Sequence, residues 1–158
     1  MSLVEFPFGL PGRVFRSPMP FSSLDTRENL FSQYRHQGVS VVVLLSEDEQ
    51  CLSRSGRNLR LFYQENGLDV IHLPIPDFQT PTRPELDEAI QAAIDRLGQG
   101  KNIVVHCYAG LGRTGMFLAC MARRVLDMPA DPAIDWVRLI LPGAIETDGQ
   151  VQVIRNFE

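Results

Sequence analysis

The chain has 158 residues, a length that predicts one domain spanning residues 1–158 with a single substantial core. Apolar residues at 44% and charged residues at 22% match a soluble globular protein and argue against intrinsic disorder. The net charge of −4 argues against nucleic acid as a partner, because a polyanion would be repelled unless a local patch overruled the sum. Lys101 is the only lysine, and no basic stripe interleaved with aromatics occurs.

In chain order, Val14 and Phe15 read as a short edge strand ended by Ser17-Pro18-Met19-Pro20, whose prolines cannot supply ladder hydrogen bonds. An amphipathic helix is expected from Asp25 to His36, stopped by Gly38. Val39 to Leu45 is β-branched without alternation, the pattern of a strand buried on both faces. A helical stretch from Glu49 to Glu65 is broken near Ser55-Gly56 and ends at Asn66-Gly67; Asp69 to Leu73 is the next strand, followed by a loop that Pro74 and Pro76 stiffen around Asp77. Pro84 sits in the first turn of a helix to Leu97, with Leu86, Ile90, Ala93, Ile94 and Leu97 on one face. Ile103 to His106 is a strand, Gly112 or Arg113 opens a helix to about Leu126, Asp131 is the expected N-cap of a helix to Ile140, and a last helix follows Asp148.

This alternation predicts an α/β fold with a mostly parallel central sheet of four to five strands and helices on both faces. Ligands of such sheets bind outside the carboxyl ends of the strands. The loops after Leu45, Leu73 and His106 are therefore expected to share one rim and to bring Asp77 near Cys107.

His106-Cys107-Tyr108-Ala109-Gly110-Leu111-Gly112-Arg113-Thr114-Gly115 carries the chemistry. A strand running into a glycine-rich loop and then a helix converges backbone N–H groups on one anion, and the helix N-terminus adds partial positive charge. The N–H groups of Tyr108, Ala109, Gly110, Leu111, Gly112 and Arg113 are the expected phosphate cradle, with Gly110 and Gly112 supplying unusual backbone angles. Cys107 is the expected nucleophile, since helix N-termini and nearby cations favour the thiolate. Arg113 offers a planar fork for two phosphoryl oxygens and, with no lysine in the loop, is expected to be the cradle's only side-chain charge.

Asp77 is the candidate general acid, and later the base for water. Thr114 is placed to hydrogen-bond the Cys107 sulfur, or to serve as a first-turn hydroxyl, or both. Adjacent strand residues point to opposite faces, so His106 is expected to stabilise the loop through backbone or a neighbouring hydroxyl rather than to exchange a proton with Cys107. Cys120 is expected to be buried and inert, Cys51 to be exposed, His36 and His72 to be a surface and a strand residue, and Glu47-Asp48-Glu49 to be a solvated helix start. Three unevenly spaced cysteines and three scattered histidines suggest neither disulfides nor a metal site. No apolar stretch is long enough to span a bilayer and no secretory leader is evident, so a cytoplasmic protein without a membrane partner is expected.

The signature resembles that of the cysteine-dependent protein tyrosine phosphatase superfamily, HCxxGxxR followed by serine or threonine. The resemblance is strongest to small dual-specificity phosphatases of the kinase-associated phosphatase type. It extends over Val39 to Leu45, Leu73-Pro74-Ile75-Pro76-Asp77 with Pro81, and Gly143-Ala144-Ile145-Glu146-Thr147 with Gln150. It implies the phosphatase α/β sandwich, Cys107, Arg113 and Asp77 as nucleophile, phosphate ligand and acid, and Gln150 as the residue that positions the hydrolytic water. It implies no metal or cofactor, and a phosphate or sulfate anion held in the loop.

The implied activity is hydrolysis of phosphotyrosine, extending to phosphoserine and phosphothreonine, in proteins or peptides. The rivals are a small-molecule, inositol-phosphate or RNA 5′-phosphate substrate, and a phosphate-binding module without catalysis. The chain departs from the family pattern at Leu141, where many relatives carry arginine, and at Tyr108 and Leu111, where phosphoinositide phosphatases carry lysines.

Overall fold

The computed structural model describes residues 3–158. In chain order the elements are β1 (Val4–Phe6), β2 (Val14–Ser17), α1 (Leu30–His36), β3 (Val39–Leu44), α2 (Asp48–Ser55), α3 (Leu59–Glu65), β4 (Asp69–His72), α4 (Arg83–Gly98), β5 (Asn102–His106), α5 (Gly112–Val125), α6 (Ala130–Ile140) and α7 (Asp148–Asn156). The strands order β1-β2-β5-β3-β4, and every pairing is parallel except β1 with β2. This is the mostly parallel sheet that the alternating pattern predicts.

The β-branched runs sit at its centre because both their faces are covered. Val41, Val43, Ile103 and Val105 point into one core with Leu86 and Ile90 of α4, Met116 and Phe117 of α5, Ile134 of α6 and Ile154 of α7. Val42, Leu44 and Val104 point the other way, against Tyr34 of α1, Cys51 of α2, and Leu59 and Tyr63 of α3. Burying each such aliphatic side chain contributes about 1.5–3 kcal/mol, so a slip by one residue, which exchanges the two faces, is strongly disfavoured.

Four features differ from the sequence expectation. β2 is an interior strand, since Val4-Glu5-Phe6 adds a further edge in antiparallel register with it. The helix expected from Asp25 begins at Leu30. The buried Asp25 carboxylate accepts from the N–H groups of Phe21, Asn29 and Leu30, so it caps the helix across an intervening turn that includes Glu28 at φ 51°. α6 starts at Ala130 with Pro129 at its N-cap, which leaves Asp131 inside the first turn, ion-paired with Arg155. Cys51 is buried, because the face of α2 that carries it lies on the sheet.

At the far edge, Trp136 of α6 meets Phe6 and Phe8 edge-on, with ring centroids 5.7 and 5.3 Å away. Among the described residues no helix is long and apolar enough to cross a membrane.

The parallel strands end together. Ser17 of β2 and Leu44 of β3 are both in register with His106 of β5, and His72 of β4 with Leu44. Leu45 N–H donates to the His106 carbonyl, and Ile75 N–H to the Leu45 carbonyl, which carries the register one step into the loops. The segments that follow β2, β3, β4 and β5 thus form one rim.

Candidate active site

The rim is built around the loop between β5 and α5. Successive loop carbonyls are turned outward by named partners. The Cys107 carbonyl accepts from His106 Nδ1 (2.8 Å), and the Tyr108 carbonyl from Met19 N–H (2.8 Å). The Ala109 and Gly110 carbonyls accept from Arg16 Nη2 and Nε (3.0 Å each), and the Leu111 carbonyl from the N–H groups of Gly115 (2.9 Å) and Ile145 (3.1 Å). In a trans peptide the carbonyl and the following N–H point in opposite directions. The N–H groups of Tyr108 through Gly112 are therefore directed to the concave side, the geometry of an anion cradle.

Gly110 adopts φ 75°, as its expected role requires. Gly112 does not have a positive φ, and the need for glycine there is space: a Cβ would lie 2.4 Å from Glu146 Oε1 and within 3.2 Å of the Gln150 amide.

Cys107 is buried at the start of this loop, and Thr114 Oγ1 donates to its sulfur at 3.2 Å. Arg113, 2% exposed, spans the site. Its Nη1 donates to the Ile75 carbonyl (2.8 Å) and to Gln50 Oε1 (2.9 Å), and its Nη2 pairs with Asp77 Oδ1 (3.0 Å). Gln50 Nε2 donates to the other Asp77 oxygen at 3.2 Å, and Phe78 N–H to Oδ1 at 3.0 Å. The sequence expectation that the Asp77 loop reaches the cysteine loop is met through the arginine.

His106 lies on the opposite side of the strand. Nδ1 faces a carbonyl, which only accepts, so Nδ1 carries the proton and Nε2 accepts from Tyr63 Oη at 2.8 Å. Burial pushes its pKa down to about 4, so the ring is neutral at neutral pH. Tyr63 is fully buried, and burial raises its phenol well above the ordinary value. Burial likewise pushes Cys51 and Cys120 up to about 12, which makes both inert thiols.

Gln150, fully buried, accepts from the N–H groups of Glu146 (2.9 Å) and Thr147 (3.2 Å) at Oε1, while Thr147 caps α7 through Gln150 N–H. Its Nε2 has no hydrogen-bond partner among the described residues and lies on the Gly112 side. The cradle is bordered by Tyr108, whose ring carries the Arg54 guanidinium at 4.7 Å, and by a small apolar hollow between Ala109 and Leu111 and the Pro18 to Thr26 loop. Asp48, half-buried, pairs with Arg60 at the start of α2.

Three participants escaped the sequence reading. In the sequence Gln50 is only a helix position and Ile75 only part of a stiff loop. Arg16 overturns the expectation that Arg113 is the cradle's only side-chain charge, since its guanidinium is fully buried against the cradle's carbonyls. The available signal was an arginine at the carboxyl end of a strand that feeds the catalytic rim.

A family model described as a polymorphic toxin system DSP-PTPase phosphatase matches residues 19–125. The mouse protein tyrosine phosphatase domain-containing protein 1 is 30% identical over 146 residues, which cover 87% of this chain and 19% of that protein. The rat cyclin-dependent kinase inhibitor 3 is 29% identical over 150 residues, covering 94% of this chain and 68% of the relative. The chain thus spans about a fifth of the first relative and about two thirds of the second. Among solved structures, the active form of Tk-PTP superimposes with a TM-score of 0.77 at 32% identity, covering 93% of this chain and 92% of the other. Kinase-associated phosphatase with serine in place of its catalytic-site cysteine gives 0.86 at 22% identity, over 99% and 93% of the two chains.

Proposed function

The chain belongs to the dual-specificity phosphatases of the cysteine-dependent protein tyrosine phosphatase superfamily, and from that premise we propose that it hydrolyses phosphotyrosine, and phosphoserine or phosphothreonine, in proteins through a cysteinyl-phosphate. The observation that carries this reading is the meeting of Arg113 and Asp77 at 3.0 Å, because a module that merely bound phosphate would need no carboxyl group there.

The substrate's phosphoryl oxygens lie against the N–H groups of Tyr108 through Arg113 and take up the Arg113 fork, which releases Asp77 from its ion pair to take up a proton from solvent. The Cys107 thiolate attacks phosphorus; the S–P bond forms as the P–O bond to the leaving group breaks, and protonated Asp77 gives its proton to the departing oxygen. In the second step water attacks phosphorus, Asp77 takes its proton, and the S–P bond breaks to return the thiolate. The Thr114 hydroxyl, 3.2 Å from Sγ, stabilises that departing sulfur. Gln150 Nε2, with its Oε1 committed to two backbone N–H groups, is the free donor for the attacking water.

The test is metal-free hydrolysis of phosphotyrosine, phosphothreonine and inositol phosphate substrates by the unmodified chain and by Cys107→Ser. Turnover of the phosphopeptides that vanishes in the variant is expected. Undiminished hydrolysis by Cys107→Ser would rule out the thiolate mechanism, and efficient turnover of inositol phosphate alone would replace the protein substrate with a soluble one.

A further inference from the structure

We propose that Arg16 is a positioning residue of the phosphate cradle: by holding the Ala109 and Gly110 carbonyls outward, its buried guanidinium aims the next two N–H groups at the phosphoryl oxygens. The proposal rests on the phosphatase reading above. Arg16 comes from β2, far from the signature in sequence, and is fully buried. Nε and Nη2 reach adjacent carbonyls at 3.0 Å each, the two-pronged contact that a planar fork can make and a lysine ammonium cannot.

The residues around this contact fit the same role. Met19 N–H, three residues further along, holds the Tyr108 carbonyl, so the Arg16 to Met19 segment is a template for three successive loop peptides. Gly110 lies so close that a Cβ would come within 2.5 Å of Arg16 Nη2 and 2.3 Å of the Ser17 carbonyl oxygen. Burial lowers the Arg16 pKa to about 10, which leaves the guanidinium protonated at neutral pH, and the Cys107 thiolate is the leading charge that offsets this shift. A cation fixed there favours a bound oxyanion without occupying its position.

The test uses Arg16→Met and Arg16→Lys, with two readouts. One is kcat/KM for p-nitrophenyl phosphate. The other is protection of Cys107 from iodoacetamide by inorganic phosphate, which reports anion binding without turnover. In Arg16→Met, kcat/KM is expected to fall about 100-fold, as on loss of an oxyanion donor, and phosphate protection to weaken at least tenfold. Arg16→Lys retains the charge but not the fork, and it should lose most of the phosphate protection.

A brace of the fold alone would lower thermal stability and leave these readouts in place. Phosphate protection and kcat/KM within threefold of the unmodified chain in both variants would overturn the proposal. If Arg16→Met does not fold, Arg16→Lys decides by the same criterion. Addition of guanidinium to Arg16→Ala should restore part of the protection, and its failure to do so in folded protein would count against the assignment. The unmodified chain separates the two readings: if phosphate protects its Cys107 and the variants match it, only the role of Arg16 fails, whereas no protection in the unmodified chain removes the phosphatase reading as well.

Discussion

Gly110→Ala tests the construction of the cradle most directly. At φ 75°, alanine costs about 1–2 kcal/mol from Cβ crowding alone. The same Cβ would stand 2.3 Å from the Ser17 carbonyl oxygen, which belongs to the sheet and cannot rotate away, so the loop must retreat by about 1 Å to reach ordinary contact. That retreat stretches both Arg16 bonds, each a hydrogen bond to a charged group worth about 1.5–3 kcal/mol. With partial relaxation the sum is about 3–5 kcal/mol, or about 10–15 °C in Tm for a chain of this size.

Misplacing the oxyanion donors by about 1 Å should lower kcat/KM for p-nitrophenyl phosphate about 100-fold. Gly56→Ala is the internal control: φ is 74° and nothing lies within 4 Å of its Cβ, so only the backbone term applies. A fall of about 3–6 °C with unchanged kcat/KM is expected there. Calorimetry and initial rates on both variants decide the matter. If Gly110→Ala loses no more stability than Gly56→Ala and keeps kcat/KM within threefold, the account of the loop as a template-held cradle is wrong.

Asp77→Asn should slow hydrolysis of phosphotyrosine peptides far more than that of substrates with activated phenolic leaving groups, and equal slowing in a leaving-group series would remove Asp77 as the acid. The depressed His106 value makes stability depend on pH in a definite direction. The unfolded chain, near 6.5, takes up the proton before the folded one, near 4, so stability is complete above pH 6.5 and falls as pH drops towards 4, by about 3 kcal/mol from this residue. Urea unfolding at several pH values should show His106→Asn losing less across that window than the unmodified chain, and parallel curves would refute the assignment. Thr147→Ala removes the hydroxyl that caps α7 and frees the Gln150 side chain; about 1 kcal/mol of stability and a lower rate of intermediate hydrolysis are expected, read by chemical denaturation and by burst kinetics. An unchanged ratio of burst to steady state would show that the cap does not hold Gln150 for the second step.

The elements legible in the sequence were those whose stabilisation is local or repetitive. β3 and β5 announced themselves through unbroken β-branched runs, α4 through Pro84 and its apolar face, and the break between α2 and α3 through Gly56, which sits in the left-handed region. β1 is three residues long and exists only because β2 offers an edge to pair with, so nothing within Val4-Glu5-Phe6 could signal it. Asp25 misled in a similar way: its carboxylate does cap a helix, but one that starts four residues later than a directly following helix would. In the site, the contiguous signature carried Cys107, Arg113 and Thr114, and proline spacing pointed to Asp77. Arg16 and Gln50 act on residues 94 and 63 positions away in sequence, and a lone polar residue carries no local mark of such a partner.

The edge-on packing of Trp136 against Phe6 and Phe8 determines what optical spectroscopy can see. It is the chain's sole tryptophan, and its aromatic partners belong to the β1 edge and the segment just after it, none to the phosphate loop. Intrinsic fluorescence will therefore follow attachment of the edge strand to α6 during unfolding and be nearly blind to an anion entering the cradle. A reporter for binding has to be introduced, and Phe78 is the natural place: it is 60% exposed and directly follows Asp77, so Phe78→Trp would put an emitter on the segment that pairs with Arg113.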